Sequence, residues 1–232
     1  MNRVILPLDD LDTKEALDLA KELRDEVWGF KVNDLFVEEG LSIIKKLKDL
    51  GKVFVDSKLH DIPNTVSNSV KRISNAGADL ITIHGSGGSK MIEAAISAKT
   101  GDTKILCVTI LTSTNEETCS SIYGDTTINS ISRIAKVAIL AKTDGLVCSA
   151  RECEEIRKIE KSINNNHNIL LVTPGIRPSW YQNNSDDQAR IETPKDAMQK
   201  GASLLVIGRP ITGSKDPLNA IKLINSEINN QS

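Results

Sequence analysis

Eight short runs rich in Val, Ile and Leu constrain this chain most: VILPL (4–8), VWGFKV (27–32), KVFVD (52–56), LITIH (80–84), ILCVTIL (105–111), GLVCSA (145–150), ILLVTPG (169–175) and LLVIGRP (204–210). Each is apolar at nearly every position, which suits strands covered on both faces, as in a parallel sheet. Amphipathic stretches of helical period separate them. TKEALDLAKELRDE (13–26) places Ala16, Leu19, Ala20 and Leu23 on one stripe. VEEGLSIIKKLKDLG (37–51) repeats the pattern as one helix closed by Gly51. The alternation continues to the end of the chain without a linker or low-complexity break, and predicts an α/β fold, a single (β/α)8 TIM barrel over residues 1–232. An open doubly wound sheet is the alternative, but it commonly has fewer strands and a Gly-rich turn after the first, which this chain lacks. Two long connections, one holding STNEETCSSIYGDTT within 112–144 and one reading RPSWYQNNSDDQARIETP, are expected to be functional loops.

Composition excludes several classes of function. Lys and Arg total 29 against 31 Asp and Glu, and aromatics are 3%, so neither a basic field nor a base-stacking platform points to nucleic acid. No window approaches the ~18 consecutive apolar residues of a membrane span. The N-terminal MNRVILPLDDLD meets acidic residues too early for a secretory signal. Cys107, Cys119, Cys148 and Cys153 show no CxxC spacing and no pairing with histidines, which argues against a disulfide or zinc framework and for a reducing cytoplasmic setting.

In a parallel barrel the C-terminal strand ends share one face, and that face carries the active site. The polar residues expected there are Asp9 and Asp10, Lys31, Asp56, Lys58 and Asp61, His84, Thr109 and Thr112, Arg177, Gly208 and Arg209. Asp56 and Lys58 are two apart, so they face one side of an extended strand and their tips can meet over the mouth. Spacing does not set the direction of Asp61, which lies beyond the strand before Pro63. Surface ion pairs add little stability, whereas charges at the end of a doubly buried strand are costly unless paired. That favours function over a solvated network. VTPGIRP and VIGRPIT follow strands seven and eight, where barrels commonly build a phosphate site, with Gly175 and Gly208 for close approach and Arg177 and Arg209 as forked donors. His84 is as readily structural as catalytic, GSGGS (85–89) reads as a flexible turn, and no motif demands a metal.

DSKLHDIPNT (56–65) fits the DxKxxDIPNT signature of the orotidine 5′-phosphate decarboxylase family, and HGSGG, VTILTS, VTPGIRP, DDQARI and VIGRP follow in that family's order. The resemblance spans essentially the whole chain. It implies a cytoplasmic homodimer with shared active sites that converts orotidine 5′-monophosphate to UMP and carbon dioxide in pyrimidine biosynthesis, without metal or cofactor. By the same resemblance Lys58 would protonate C6 as carbon dioxide leaves, and Asp56 would sit near the departing carboxylate. Lys31 and Asp61 would complete an alternating array, with Asp61 reaching in from the other subunit. Asp9 would hold the ribose, together with Thr65 from the other subunit, and Ile62 would add a substrate contact. Thr112 would touch the pyrimidine, while Arg177, Gln188 and the Gly208–Arg209 backbone would grip the phosphate. Asn33 stands where many relatives carry glycine, and PSWYQNNSDD makes a slightly longer loop than in compact relatives.

Two rivals share parts of this pattern. A magnesium-dependent sugar-phosphate decarboxylase or aldolase of the same barrel suprafamily shares the DxKxxD core. Those relatives lack the IPNT continuation and need an acidic ligand after strand two, where this chain has Lys31. A non-catalytic barrel that binds a nucleotide phosphate is the other, but a pure binder gains little from lysines interleaved with aspartates.

Overall fold

The computed structural model describes residues 2–163, 168–181 and 192–229. They form a closed barrel of parallel strands in the order β1 to β8: Val4–Pro7, Gly29–Val32, Lys52–Leu59, Leu80–His84, Lys104–Val108, Gly145–Val147, Leu170–Thr173 and Leu204–Val206. β8 pairs back onto β1 through Val4↔Leu205 and Ile5↔Val206, so the sheet has no open edge. The helices are α1 Thr13–Leu23, α2 Asp34–Glu39, α3 Leu41–Lys48, α4 Pro63–Asn75, α5 Gly88–Ala98, α6 Glu116–Tyr123, α7 Thr127–Leu140, α8 Cys153–Ser162, α9 Pro194–Gln199, α10 Arg209–Thr212 and α11 Pro217–Asn229. No described helix is long and apolar enough to cross a membrane.

The two-residue period of each strand divides the core. Ile5, Phe54, Leu80, Leu106, Val172, Leu204 and Val206 form the cluster inside the barrel. The intervening residues, among them Leu6, Phe30, Val55, Ile81 and Leu171, belong to the larger cluster between sheet and helices. Two positions further along the inward series stand Pro7 and Asp56, and Lys31 continues it on β2. The barrel is therefore packed with hydrocarbon in its lower part and opens into charge at its C-terminal mouth.

Several local features differ from the sequence expectation. The helix expected over 37–51 is broken at Gly40, whose φ of 60° is open to glycine and separates α2 from α3. Gly51 is not a left-handed cap; its N–H bonds Leu47 O at 3.0 Å while its missing side chain leaves room for Phe30. The polar segment before α7 contains α6, started by Asn115, which accepts from the Thr118 N–H at 2.8 Å, and ended by Gly124 at φ 70°. GSGGS is not a flexible turn but a 3-10 turn, Gly85–Gly87, running into α5. A Cβ on Gly85 would lie 2.5 Å from Ile134 Cγ2, so close packing against α7 is what requires glycine there. All four cysteines are free and buried.

Gly29 lies on β2 where a Cβ would fall 2.4 Å from the Lys52 carbonyl oxygen of β3. Because that neighbour is backbone, Gly29→Ala should cost about 2 kcal/mol by overpacking. A thermal melt should then drop by about 4–8 °C, and an unchanged midpoint would show that β2 and β3 tolerate separation.

Candidate active site

β3 supplies the centre of the site through an irregularity. Its register against β4 shifts between Val55 and Leu59, and Lys58 adopts φ 46°, a left-handed conformation seldom taken by a residue with a side chain. Around this bulge the Lys58 N–H donates to Thr82 Oγ1 at 2.9 Å, and Thr82 Oγ1 donates to Asp56 Oδ1 at 2.9 Å. The other carboxylate oxygen, Oδ2, meets Lys58 Nζ at 2.8 Å and Lys31 Nζ at 3.5 Å. Lys31 Nζ also donates to Asp9 Oδ2 at 2.6 Å. Asp9, Lys31, Asp56 and Lys58 thus form one alternating chain of charges, drawn from β1, β2 and β3 and braced from β4. The tips of Asp56 and Lys58 do meet over the mouth, through a bulge and not a regular strand.

Burial gives these contacts their weight. Only 9% of the Lys31 side chain and 12% of that of Asp56 are exposed, so each charge depends on its partner. Burial pushes the Asp9 carboxyl above its ordinary value even though Lys31 opposes the shift. Asp9 Oδ1 is buried and makes no hydrogen bond, leaving an acceptor in the wall of the cavity. The next residue, Asp10, is left-handed at φ 63°, and its N–H donates to Asp34 Oδ2 at 2.8 Å. Asn33 acts in the same layer: its side-chain amide donates to the Asp56 carbonyl oxygen at 3.1 Å, tying the end of β2 to the centre of the site.

The charges line one side of a cavity of about 400 Å³. Phe54, Val108, Ile110, Leu111, Val147 and Val206 supply an apolar wall, and Thr112 lies beside them. The far end is built by Pro174, Gly175, Arg177, Gly208, Arg209 and Thr212. Gly175 is left-handed at φ 76°. Arg177 is only 8% exposed. Its N–H bonds Glu192 O at 3.0 Å, and its guanidinium lies 5.9 Å from the Tyr181 ring. The sequence-predicted Asp9, Lys31, Asp56, Lys58, Thr112, Arg177, Gly208 and Arg209 all border this one cavity.

Other expected residues lie elsewhere. Asp61, Ile62 and Thr65 are exposed at the start of α4 and do not line the cavity of their own chain; Ile62 is 66% exposed. Gln188 is outside the described residues. Thr82 and Asn33 are the participants the sequence reading passed over as site residues. Thr82 shares the inward face of β4 with Leu80, but a threonine within LITIH carries no signal of its own in the sequence. Among the described residues no three His, Cys, Asp or Glu side chains gather as a metal site.

Fold and site together define a (β/α)8 barrel with an interleaved Lys–Asp array at one end of its mouth and an arginine- and glycine-lined recess at the other. The family model described as orotidine 5′-phosphate decarboxylase / HUMPS matches residues 2–224. Orotidine 5′-phosphate decarboxylase of Nitrosomonas europaea is 42% identical over 230 residues, covering 97% of this chain and 96% of that protein. The enzyme of the same name from Dichelobacter nodosus is 39% identical over 227 residues, covering 95% and 96%. A crystal structure of orotidine 5′-phosphate decarboxylase from Lactobacillus acidophilus superposes with a TM-score of 0.80 at 36% identity, covering 99% of this chain and all of that one. The chain belongs to the orotidine 5′-phosphate decarboxylase / HUMPS family.

His84 closes β4 beside this array, with its ring centroid 5.3 Å from that of His60. Burial, then the neighbouring His60 and Lys58, pushes its imidazole below the ordinary value of 6.5, with Asp56 opposing. The folded state therefore favours neutral His84. Its contribution to stability is complete above the unfolded value and is lost as pH falls through the depressed folded value. Denaturant midpoints should fall between pH 7.5 and pH 5.5, and fall less in His84→Gln; equal slopes in the two proteins would remove His84 as the cause.

Proposed function

We propose that this chain is a carbon–carbon lyase that decarboxylates orotidine 5′-monophosphate to UMP and carbon dioxide in pyrimidine biosynthesis. The observation that carries this reading is the Asp9–Lys31–Asp56–Lys58 array inside a cavity whose opposite end holds Arg177 and Arg209. The cavity volume of about 400 Å³ falls within the range of small-ligand pockets. Arg177 and the backbone at Gly208 and Arg209 bind the phosphate, Asp9 holds the ribose, and Thr112 borders the pyrimidine.

Loss of carbon dioxide leaves the bonding electron pair on C6, where no adjacent carbonyl can accept it. The Lys58 ammonium faces that charge as it forms, stabilises it and then transfers a proton to C6, giving UMP. Asp56 holds Lys58 oriented through the 2.8 Å contact at Oδ2, and Lys31 packs against the same oxygen at 3.5 Å, so the carboxylate keeps the two cations apart. The apolar wall strengthens this field by excluding water from one side of the array. No cofactor is needed to take up the electrons in this scheme.

The exposed Asp61, Ile62 and Thr65 support a second element of the proposal. In a homodimer they enter the cavity of the neighbouring copy, Asp61 extending the array and Thr65 reaching the ribose. Gln188, outside the described residues, is assigned to the phosphate grip by the family's pattern alone. The enzyme is proposed to act in the cytoplasm.

An ultraviolet assay of orotidine 5′-monophosphate with EDTA-treated protein tests the function directly. Conversion to UMP is expected, and Lys58→Ala should lower it by at least about 10⁴-fold while the protein stays folded. No conversion, with turnover of a keto-sugar phosphate and magnesium instead, would transfer the chain to the sugar-phosphate branch. Mixing Lys58→Ala with Asp61→Ala chains should restore activity through hybrid dimers that hold one intact site. A mixture no more active than its components would place Asp61 in its own subunit's site or outside the chemistry.

A further inference from the structure

We infer that Thr82 is a positioning residue for the reaction: its single hydroxyl sets both the backbone of Lys58 and the rotation of the Asp56 carboxylate. This rests on the decarboxylase function proposed for the cavity. Thr82 is fully buried on β4, on the inward face shared with Leu80, and does not itself border the cavity. Its hydroxyl accepts from the Lys58 N–H and donates to Asp56 Oδ1, each at 2.9 Å. The direction of these bonds is forced. A backbone N–H can only donate and an ionised carboxylate can only accept, so the hydroxyl proton must point to Asp56.

Two consequences follow for the array. With Oδ1 occupied by Thr82, the remaining oxygen, Oδ2, is the one turned to both Lys58 Nζ and Lys31 Nζ. The Lys58 N–H, displaced from the regular ladder by the register shift after Val55, finds its acceptor in the same hydroxyl. A left-handed lysine costs of order 1–3 kcal/mol and persists only where neighbours over-determine it. Thr82 supplies that constraint from the adjacent strand. It also polarises a continuous chain from the Lys58 amide through the hydroxyl to the carboxylate. The oxygen of one side chain thereby couples the general acid to the carboxylate that orients it.

Thr82→Val keeps the shape and removes both hydrogen bonds, whereas Thr82→Ser keeps the hydroxyl. Thr82→Val should lower kcat for orotidine 5′-monophosphate about thirtyfold, equivalent to about 2 kcal/mol, with KM within about threefold of wild type. Thr82→Ser should restore most of the rate. Wild-type kcat in Thr82→Val would overturn the proposal, as would equal losses of kcat in the Val and Ser variants. If circular dichroism shows Thr82→Val unfolded, Thr82→Ala takes its place with the same criteria. If the wild-type chain decarboxylates nothing, the proposed function fails and Thr82 is judged separately by amide hydrogen exchange at Lys58, whose N–H donates to the Thr82 hydroxyl. Faster exchange in the Val variant than in the Ser variant supports the coupling, and equal exchange overturns it.

Discussion

The site depends on one carboxylate shared between two lysines. Lys31 and Lys58 both turn their ammonium groups toward Asp56 Oδ2, and either cation facing the other without that oxygen would be repelled in a poorly solvated mouth. Removing one member of a buried charge pair typically costs about 3–5 kcal/mol because the other is left uncompensated. Such a cluster can be held only where several backbones converge. Barrel closure supplies this: Asp9 follows β1, Lys31 lies on β2, Asp56 on β3 and Thr82 on β4, so the contacts run sideways across four consecutive strands. The network is a lateral belt, and the parallel register that places Pro7 beside Lys31 and Lys31 beside Phe54 aligns its members.

The two halves of the barrel divide the labour. β1 to β4 carry the charges, while β5 to β8 and their loops contribute hydrocarbon and the Gly175, Arg177, Gly208 and Arg209 recess. A ligand with an anionic group at each end would therefore lie across the mouth and span the boundary between halves. Gly208 shows how tightly the halves are joined, since a Cβ there would fall 2.9 Å from Pro7 Cγ on β1. In the proposed reaction, binding at the arginine end would orient the remote reacting group against the array, which is how energy from a non-reacting part of a substrate serves the chemical step.

Much of the fold was legible because strands buried on both faces leave continuous apolar runs, and every such run became a strand. Helix interruptions were less legible. Gly40 sits within an unbroken amphipathic period, and only its left-handed backbone separates α2 from α3. α6 was hidden by polar composition: it buries Cys119 and little else, so it leaves almost no apolar stripe to find. At the site, Asp9, Lys31, Asp56, Lys58 and Arg177 were legible as polar residues at the ends of apolar runs. Thr82 was not, because a β-branched residue inside LITIH is ordinary strand material and its hydroxyl becomes informative only beside Asp56. The direction of Asp61 was open for a physical reason as well: it follows the bulge, after which a two-residue period no longer applies.

The bulge is also where folding and function meet. In a regular strand, Asp56 and Lys58 would project in parallel about 6–7 Å apart along the chain, and the lysine could swing freely toward solvent. The left-handed turn at Lys58 interrupts that geometry and leaves its ammonium 2.8 Å from the carboxylate. Strain of about 1–3 kcal/mol is comparable to one hydrogen bond involving a charged group, about 1.5–3 kcal/mol. Two such bonds act here, Lys58 Nζ to Asp56 and Thr82 to Asp56, with the Lys58 N–H satisfied in addition. Together these bonds offset the strain of the unusual backbone. The orientation of the lysine is therefore a property of the folded barrel, present before any ligand arrives.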